Sequence, residues 1–286
     1  MIVATKGRPQ AVAQLLRLLE RQTLPPSLVL ISATEGGDVE GSTDTVLPVE
    51  YLFGPPGSSR QRNRALERGR DGADIIVFFD DDFAPGPTWL AHCASVFESQ
   101  PEVVGMSGWV LRDGAPTPEI SWEEAQRLIE QSPAAAPAAA ELMERNGLYG
   151  CNMAFRAASI ADLSFDERLV LYGWMEDKDF SRRAGRRGRL VRSTALTGVH
   201  LGLKSGRVSG RRFGYSQIVN AWYLRQKGVL SAGEAWGNIT KALLSNSVKS
   251  LWPEGHIDRL GRFQGNLIGV GNLLRGRCRP ETAAEL

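Results

Sequence analysis

Apolar and polar positions alternate along the first hundred residues in two kinds of block. Short apolar runs at Met1–Thr5, Leu28–Ile31, Val49–Phe53 and Ile75–Phe79 read as strands. A run of this length bounded by polar residues suits a strand buried on both faces of a parallel sheet. Between the first two, Val12, Leu15, Leu16, Leu18 and Leu19 recur at helical spacing, with Arg17, Glu20 and Arg21 outside that face. Pro9 suits the first helical position, and Pro25 and Pro26 stop the helix. Thr34–Thr45 is a polar loop. Gly54–Gly57 turns the chain, and Ser58 or Ser59 is placed to cap a helix through Arg70. Strand and helix alternating in this way predict right-handed crossovers and a mostly parallel sheet flanked by helices.

The later pattern is less regular. Pro85, Pro87 and Trp89 lead into a helix to about Gln100, and Val103–Leu111 is another strand. Residues 113–146 hold four prolines, an Ala/Pro tract at Pro133–Ala140 and an amphipathic helix around Trp122–Ile129. That stretch reads either as an insertion or lid, or as variable packing. Gly150–Arg156 returns to the sheet, and Ala195–Val199 is a further strand. The last third is helical: Phe213–Lys227, Ala235–Leu251, and a stretch in which Ile257, Leu260, Phe263, Leu267, Val270 and Leu274 recur every three or four residues. The expected division is a catalytic domain over 1–210 (halves 1–112 and 147–210 around the 113–146 insertion) and a helical region over 211–286.

Composition narrows little. Of 286 residues, 42% are hydrophobic and 23% charged, and the net charge is +2, ordinary for a globular chain. Three scattered cysteines without a CxxC pair argue against a zinc site or a disulfide framework and fit a reducing cytoplasm. No leader and no apolar run near 18 residues is visible, so a membrane span is not expected.

Charge distribution says more. No Asp or Glu lies between Phe180 and Gly233, while Arg and Lys are dense there, as for an anion-binding surface. Aromatics are not interleaved as a base-stacking platform requires, so nucleic acid is not the expected partner. Diphosphate and an anionic membrane face fit better. In the last helix, Arg259, Arg262, Arg275, Arg277 and Arg279 flank the apolar positions. Packing on the catalytic domain and an interfacial helix on an anionic bilayer both remain open.

The centre of the chemistry is IIVFFDDDFAPGP, where an apolar run ends in Asp80, Asp81 and Asp82. Ligands of open α/β sheets bind at the carboxyl ends of strands. Three carboxylates there repel one another, and a hard divalent cation shared with phosphate oxygens relieves the repulsion. The alternative is a solvated acidic loop. The first βα turn is TKGRP, so neither the GxGxxG nor the P-loop signature is present. Glu176, Asp177 and Asp179 form a second acidic cluster at a predicted helix N-terminus, a place that stabilises negative charge without catalysis. Asn152 reads as a turn residue or a donor to a hydroxyl-rich ligand. His200, just past a strand, reads as structural or as a metal ligand.

TKGRP, GPPGSSRQRNRAL, FFDDDFAPGPTWL, GCNMAFR, and GWMEDKDF with RRGRLV, taken in order, resemble the family 2 glycosyltransferases of the GT-A fold. GVHLG and FGYSQIVNAWYLRQKG are similar to the bacterial members that build surface polysaccharides, the rhamnosyltransferase-like branch above all. The likeness spans about Met1 to Arg277. It implies an inverting, Mg2+- or Mn2+-dependent transfer of a sugar from a nucleotide diphosphate to a saccharide acceptor; an acceptor on a polyprenyl lipid is what the basic last helices suggest. With the cysteine pattern, a cytoplasmic enzyme is expected, at the inner face of the plasma membrane if the last helices meet lipid. Thr5 and Arg8 would border the base and ribose, with Arg60 and Asn63 also on the nucleotide sugar. Asp80 would face the ribose, Asp81 would support it, and Asp82 and His200 would hold the metal. Asn152 would line the donor sugar, and Lys204, Arg207, Arg211 and Arg212 would meet the diphosphate. Asp177 would be the base, with Glu176 on an acceptor hydroxyl. The family often carries an Asp directly after the second strand to read the base; here SATEGGD stands, with Glu35 or Asp38 as substitutes. A catalytically inactive nucleotide-sugar-binding subunit is the alternative. A glycoside hydrolase would need neither the DxD nor the basic zone.

Overall fold

The computed structural model describes residues 1–132, 140–206, 208–252 and 254–286. Most of the Ala/Pro tract and Arg207 therefore lie outside the described residues. The chain forms two compact units. The first comprises residues 1–56, 60–164 and 180–206, and the second residues 57–59, 165–179 and 207–286.

The first unit is built on a nine-stranded sheet: β1 (Ile2–Ala4), β2 (Val29–Ala33), β3 (Val49–Phe53), β4 (Ile75–Asp80), β5 (Phe83–Pro85), β6 (Val103–Asp113), β7 (Leu142–Glu144), β8 (Asn152–Arg156) and β9 (Arg189–His200). The order is β3-β2-β1-β4-β8-β6-β9-β5, with β7 on β9. β1 to β4, β6 and β9 point one way; β5, β7 and β8 run against them. The helices of this unit are α1 (Pro9–Glu20), α3 (Trp89–Ser99) and α4 (Trp122–Gln131), while α2 (Ser58–Gly69) and α5 (Glu176–Ala184) each begin with residues of the second unit. This is the mostly parallel α/β arrangement expected. Two strands were not foreseen, β5 and β7, and β9 is far longer than the Ala195–Val199 segment that stood out as apolar.

Successive side chains of a strand point to opposite faces, and β4 buries large groups on both. Phe78 meets Phe155 and Phe180 edge-on, with ring centroids 6.2 and 6.0 Å apart. Phe79 meets Phe83 and Trp89 at 4.9 and 4.7 Å. Such pairs add about 0.5–1.5 kcal/mol each beyond the area they bury. The strand that carries the acidic cluster is thus fixed from both sides.

The second unit contains α6 (Gly210–Gln226), α7 (Ala232–Lys249) and α8 (Arg259–Leu274). Ser209, Ser231 and Asp258 cap them, Ser231 in a reciprocal capping box with Glu234. Ser58 and Ser59, expected as caps, are the first two residues of α2. Their hydroxyls donate instead to Glu176 and to the Leu169 carbonyl.

The apolar recurrence in α8 does not mark its buried face. Leu260, Leu267 and Leu274 are 57%, 52% and 80% exposed, while Gly261, Gly265, Asn266 and Gly269 are buried. Glycine allows close backbone approach, and a Cβ on Gly265 would lie 2.0 Å from the Arg211 carbonyl oxygen. One on Gly214 would lie 2.0 Å from that of Arg262. Asn266 Nδ2 donates to the Gly214 carbonyl at 2.7 Å, and Asn246 Nδ2 to Asn266 Oδ1 at 2.8 Å. The three helices are therefore joined by glycine contact and a buried amide chain, a high-stakes network when fully satisfied. No described helix is long and apolar enough to cross a membrane.

Gly265→Ala is expected to destabilise the protein by about 1–3 kcal/mol or more, since backbone cannot yield as a side chain does. Urea unfolding of the variant beside Gly271→Ala checks this. The Gly271 position meets only the end of the Arg275 side chain, and that variant should stay near wild type.

Candidate active site

β4 ends at Asp80, and Asp81 and Asp82 link it directly to β5. The register Phe83↔His200 on β9 then brings His200 beside Asp82. Each carboxylate takes a partner from a different element. Asp80 accepts from Arg62 Nη2 of α2 at 2.7 Å. Asp81 accepts from the Thr5 hydroxyl at 2.7 Å and from Arg8 Nη1 at 2.9 Å. Asp82 Oδ2 accepts from the Leu203 amide at 2.8 Å, with Arg8 Nη1 at 3.5 Å, and its Oδ1 lies 3.4 Å from His200 Nε2.

His200 is held from behind. Its Nδ1 is 2.8 Å from Asp113 Oδ1 and 3.1 Å from the Tyr149 hydroxyl, which itself donates to Asp113 Oδ2 at 2.9 Å. A carboxylate behind an imidazole fixes the ring's orientation and leaves the other nitrogen for a metal or proton. The sequence did not single out Asp113, Tyr149 or Arg62. Asp113 stood at the edge of the Pro-rich stretch, and only the β6–β9 pairing, Asp113↔His200, reveals its role.

The electrostatics follow from burial and pairing. Burial works against the His200 imidazolium, but Asp82, Asp113 and Asp80 outweigh it and push the group up to about 10. Burial opposes the Asp82 carboxylate too, but His200, Arg8 and the Leu203 amide hold it below the usual range. Burial and the neighbouring Asp82 charge push Asp81 up to about 7 against Arg8 and Thr5.

Asp80, Asp82 and His200 each offer one ligand atom, and these atoms lie within 4.8 Å of one another. Two carboxylate oxygens and one imidazole fit Mn2+, and Mg2+ is bound typically through one or two carboxylates plus phosphates. Asp81 faces Thr5 and Arg8 instead.

The surroundings fix the strand ends. Gln61 Nε2 donates to the carbonyls of Thr5 and Ser32, each at 2.7 Å. Asp38 accepts from the amides of Gly7, Thr34 and Glu35 and from the Thr34 hydroxyl, so it ties the β1 and β2 loops together. Arg8 also donates to the carbonyls of Leu203 and Ser205. Lys204 Nζ donates to Gly114 and Thr117 carbonyls at 2.7 and 2.6 Å. Asn152 is fully buried, and its side-chain amide has no hydrogen-bond partner among the described residues. Asn63 is buried and Arg60 exposed on α2. Arg211 is exposed on α6.

In the second unit, Glu176 and Asp177 open α5. The approach to them uses left-handed backbone at Leu171, Gly173 and Met175, with φ of 61°, 69° and 71°. Such conformations cost about 1–3 kcal/mol for a non-glycine residue and cluster at functional sites. Lys227 anchors the base of this segment on Asp166 and Asp179 at 2.7 and 2.8 Å.

Part of the basic stretch is paired with acids. Arg187 pairs with Asp162, Arg189 with Glu102 and Glu144, and Lys227 with Asp166 and Asp179.

No protein-family profile matches the sequence, and no curated protein matches it. Solved structures do. A mannosyltransferase from Pyrobaculum calidifontis, solved with GDP-Man and Mn2+, is 16% identical with a TM-score of 0.53, over 96% of this chain and 86% of that one. S. aureus TarS is 18% identical with a TM-score of 0.50, over 87% of this chain and 43% of that one. GalNAc-T7 with UDP, GalNAc and Mn2+ is 12% identical with a TM-score of 0.54, over 99% of this chain and 55% of that one. The chain thus spans about half the length of TarS and of GalNAc-T7. At these identities the likeness establishes the fold, the GT-A arrangement.

His200, raised above its unfolded value, contributes stability that is full below about pH 6.5 and lost as pH rises through about 10. Metal-free protein should therefore lose stability over that window, and His200→Gln should flatten the profile. Chemical denaturation in EDTA between pH 6 and 10 checks it.

Proposed function

We propose that the chain is an inverting, metal-dependent glycosyltransferase. It moves a sugar from a nucleotide-diphosphate donor to a saccharide or polyprenyl-linked acceptor in surface polysaccharide synthesis, as a family 2 enzyme of the rhamnosyltransferase-like kind. The observation that carries this is the Asp80–Asp82–His200 group at the carboxyl end of β4, on a GT-A sheet. That neighbours of the same fold were solved with GDP-Man or UDP together with Mn2+ supports the donor class.

In this reading Asp82 and His200 hold the metal, with Asp80 contributing to it and to the ribose. Bound there, the ion would neutralise the diphosphate as charge develops on the leaving group. Asp113 keeps His200 oriented. Thr5 and Arg8 keep the Asp81 side of the site closed, and Lys204 and Arg211 offer further positive charge. Asp177 takes the proton of the acceptor hydroxyl as that oxygen bonds to the anomeric carbon and the bond to the diphosphate breaks. One displacement inverts the centre and needs no covalent intermediate. Glu176 holds an acceptor hydroxyl.

Nucleotide diphosphates with Mn2+ should raise the melting temperature, by the equivalent of about 2.7 kcal/mol at a hundredfold excess over Kd. Asp82→Ala should abolish the shift. Asp177→Asn should keep it yet lower the transfer rate by about 10²–10⁴. A metal-independent shift, or full transfer by both variants, would remove the assignment.

Leu244, Val248, Leu251 and Trp252 of α7 and its end, with Leu260, Leu267 and Leu274 of α8, are exposed. Lys249, Arg275, Arg277 and Arg279 lie along the same two segments. Apolar exposure with basic flanks supports peripheral contact with an anionic bilayer. Replacing Leu260, Leu267 and Leu274 by Ser should lower sedimentation with phosphatidylglycerol vesicles while leaving transfer to a soluble acceptor intact.

A further inference from the structure

One face of β6, β7 and β9 in the first unit carries a cluster that the metal site does not use. Met143 of β7 pairs with Arg192 of β9, and Arg192 pairs on its other side with Ser107 of β6. Directly paired residues share a face, and Arg145, two residues beyond Met143, falls on that same face. The Arg192 guanidinium stacks on Trp109, 4.1 Å from the ring centroid. Arg192 Nη2 and Arg145 Nη2 both point at the Met143 sulfur, at 3.6 and 3.7 Å.

A thioether is a weak acceptor, and beside it Arg145 Nη1 donates only to the Glu144 carbonyl, at 3.3 Å. Among the described residues neither arginine forms an ion pair, and Arg192 Nε is buried with no hydrogen-bond partner. Glu144, the adjacent acid, is taken by Arg189 at 3.0 Å. Glu141 is the carboxylate whose field reaches Arg192, and it makes no ion pair with either arginine. Burial, then the charge of Arg145, makes the Arg192 cation less favourable than an isolated one. Trp109 keeps 37% of its surface in water.

Two guanidinium groups held against their own repulsion beside an exposed indole make a receptor for an anion borne on an apolar-faced ring. Guanidinium forks match carboxylate and phosphate oxygens bidentately, and an indole offers a flat apolar surface. Trp109 lies on the strand that ends in Asp113, about 13 Å up it at the usual rise per residue. The cluster lies on β6, β7 and β9, the half of the sheet away from β1 to β3.

We infer that Trp109, Arg145 and Arg192 form a subsite for an acidic sugar residue of an extended acceptor, its carboxylate or phosphate on the two arginines and its ring on the exposed indole. This rests on the transferase reading above and adds that the acceptor is anionic.

The test is direct binding without donor or metal, by calorimetry at low salt. The probes are tetragalacturonate, a mannose 6-phosphate-terminated oligosaccharide and neutral maltotetraose. Either anionic probe should bind at least about tenfold more tightly than the neutral one, as a charge-assisted bond implies. The probe preferred tells carboxylate from phosphate. Arg192→Gln and Arg145→Gln should each remove about a tenfold factor, while Arg145→Lys retains part of it. Trp109→Phe should weaken all rings without erasing the preference for charge. Equal binding of charged and neutral probes, or binding that survives both glutamine variants, would overturn the subsite. A parallel titration with nucleotide diphosphate and Mn2+ separates the failures. If the nucleotide binds and no anionic probe does, only the subsite falls; if neither binds, the donor site falls as well.

Discussion

The mutual repulsion of Asp80, Asp81 and Asp82 is the constraint on which the first unit depends. Three consecutive carboxylates at the end of a buried strand are tolerable only if each finds a different counter-group. The fold supplies these from three directions: Arg62 from α2, Thr5 and Arg8 from the end of β1, and His200 from the end of β9. The acidic cluster is therefore also the junction at which those elements are tied together. Its geometry suits a cation because Asp80 and Asp82, which share one side with His200, leave Asp81 to be satisfied by protein alone. Asp82 and His200 would hold a metal through the same atoms that face each other here, so the Asp82–His200–Asp113 arrangement and the metal-loaded site would be alternative solutions to one charge problem.

The second unit solves a different problem. α8 meets α6 through glycines and Asn266, and Asn246 of α7 joins them, while Leu260, Leu267 and Leu274 of α8 stay outside. A helix whose close-packed face is small turns its bulky residues to another medium. The basic residues beside them, Arg275, Arg277 and Arg279, are exposed as well.

Much of this was legible before any coordinates. The α/β alternation, the β4 strand ending in the acidic triplet and α5 beginning at Glu176 all rest on patterns that are local in sequence, whereas His200 was tied to that triplet only through the family resemblance. What escaped notice was set by pairing over long separations. β5 is three residues with a proline, too short to show as periodicity, yet it aligns His200 with Asp82. Asp113 looked like the start of a loop because its partner lies 87 residues away. α8 was misleading for a physical reason: apolar spacing marks a buried face only when the neighbour is met through side chains, and here backbones meet. The basic run from Phe180 to Gly233 read as one surface, but acids from distant segments pair with Arg187, Arg189 and Lys227, while Arg192 stands beside Arg145.

The central claim is that one divalent ion sits among Asp80, Asp82 and His200 when a nucleotide diphosphate is bound. Crystals grown with Mn2+ and a nucleotide diphosphate, measured at a wavelength where manganese scatters anomalously, test it most directly. The account expects a single strong peak about 2.1 Å from an oxygen of Asp82 and from His200 Nε2, as hard-cation geometry requires. A peak held only by water and phosphate, with His200 still turned to Asp82, would contradict it.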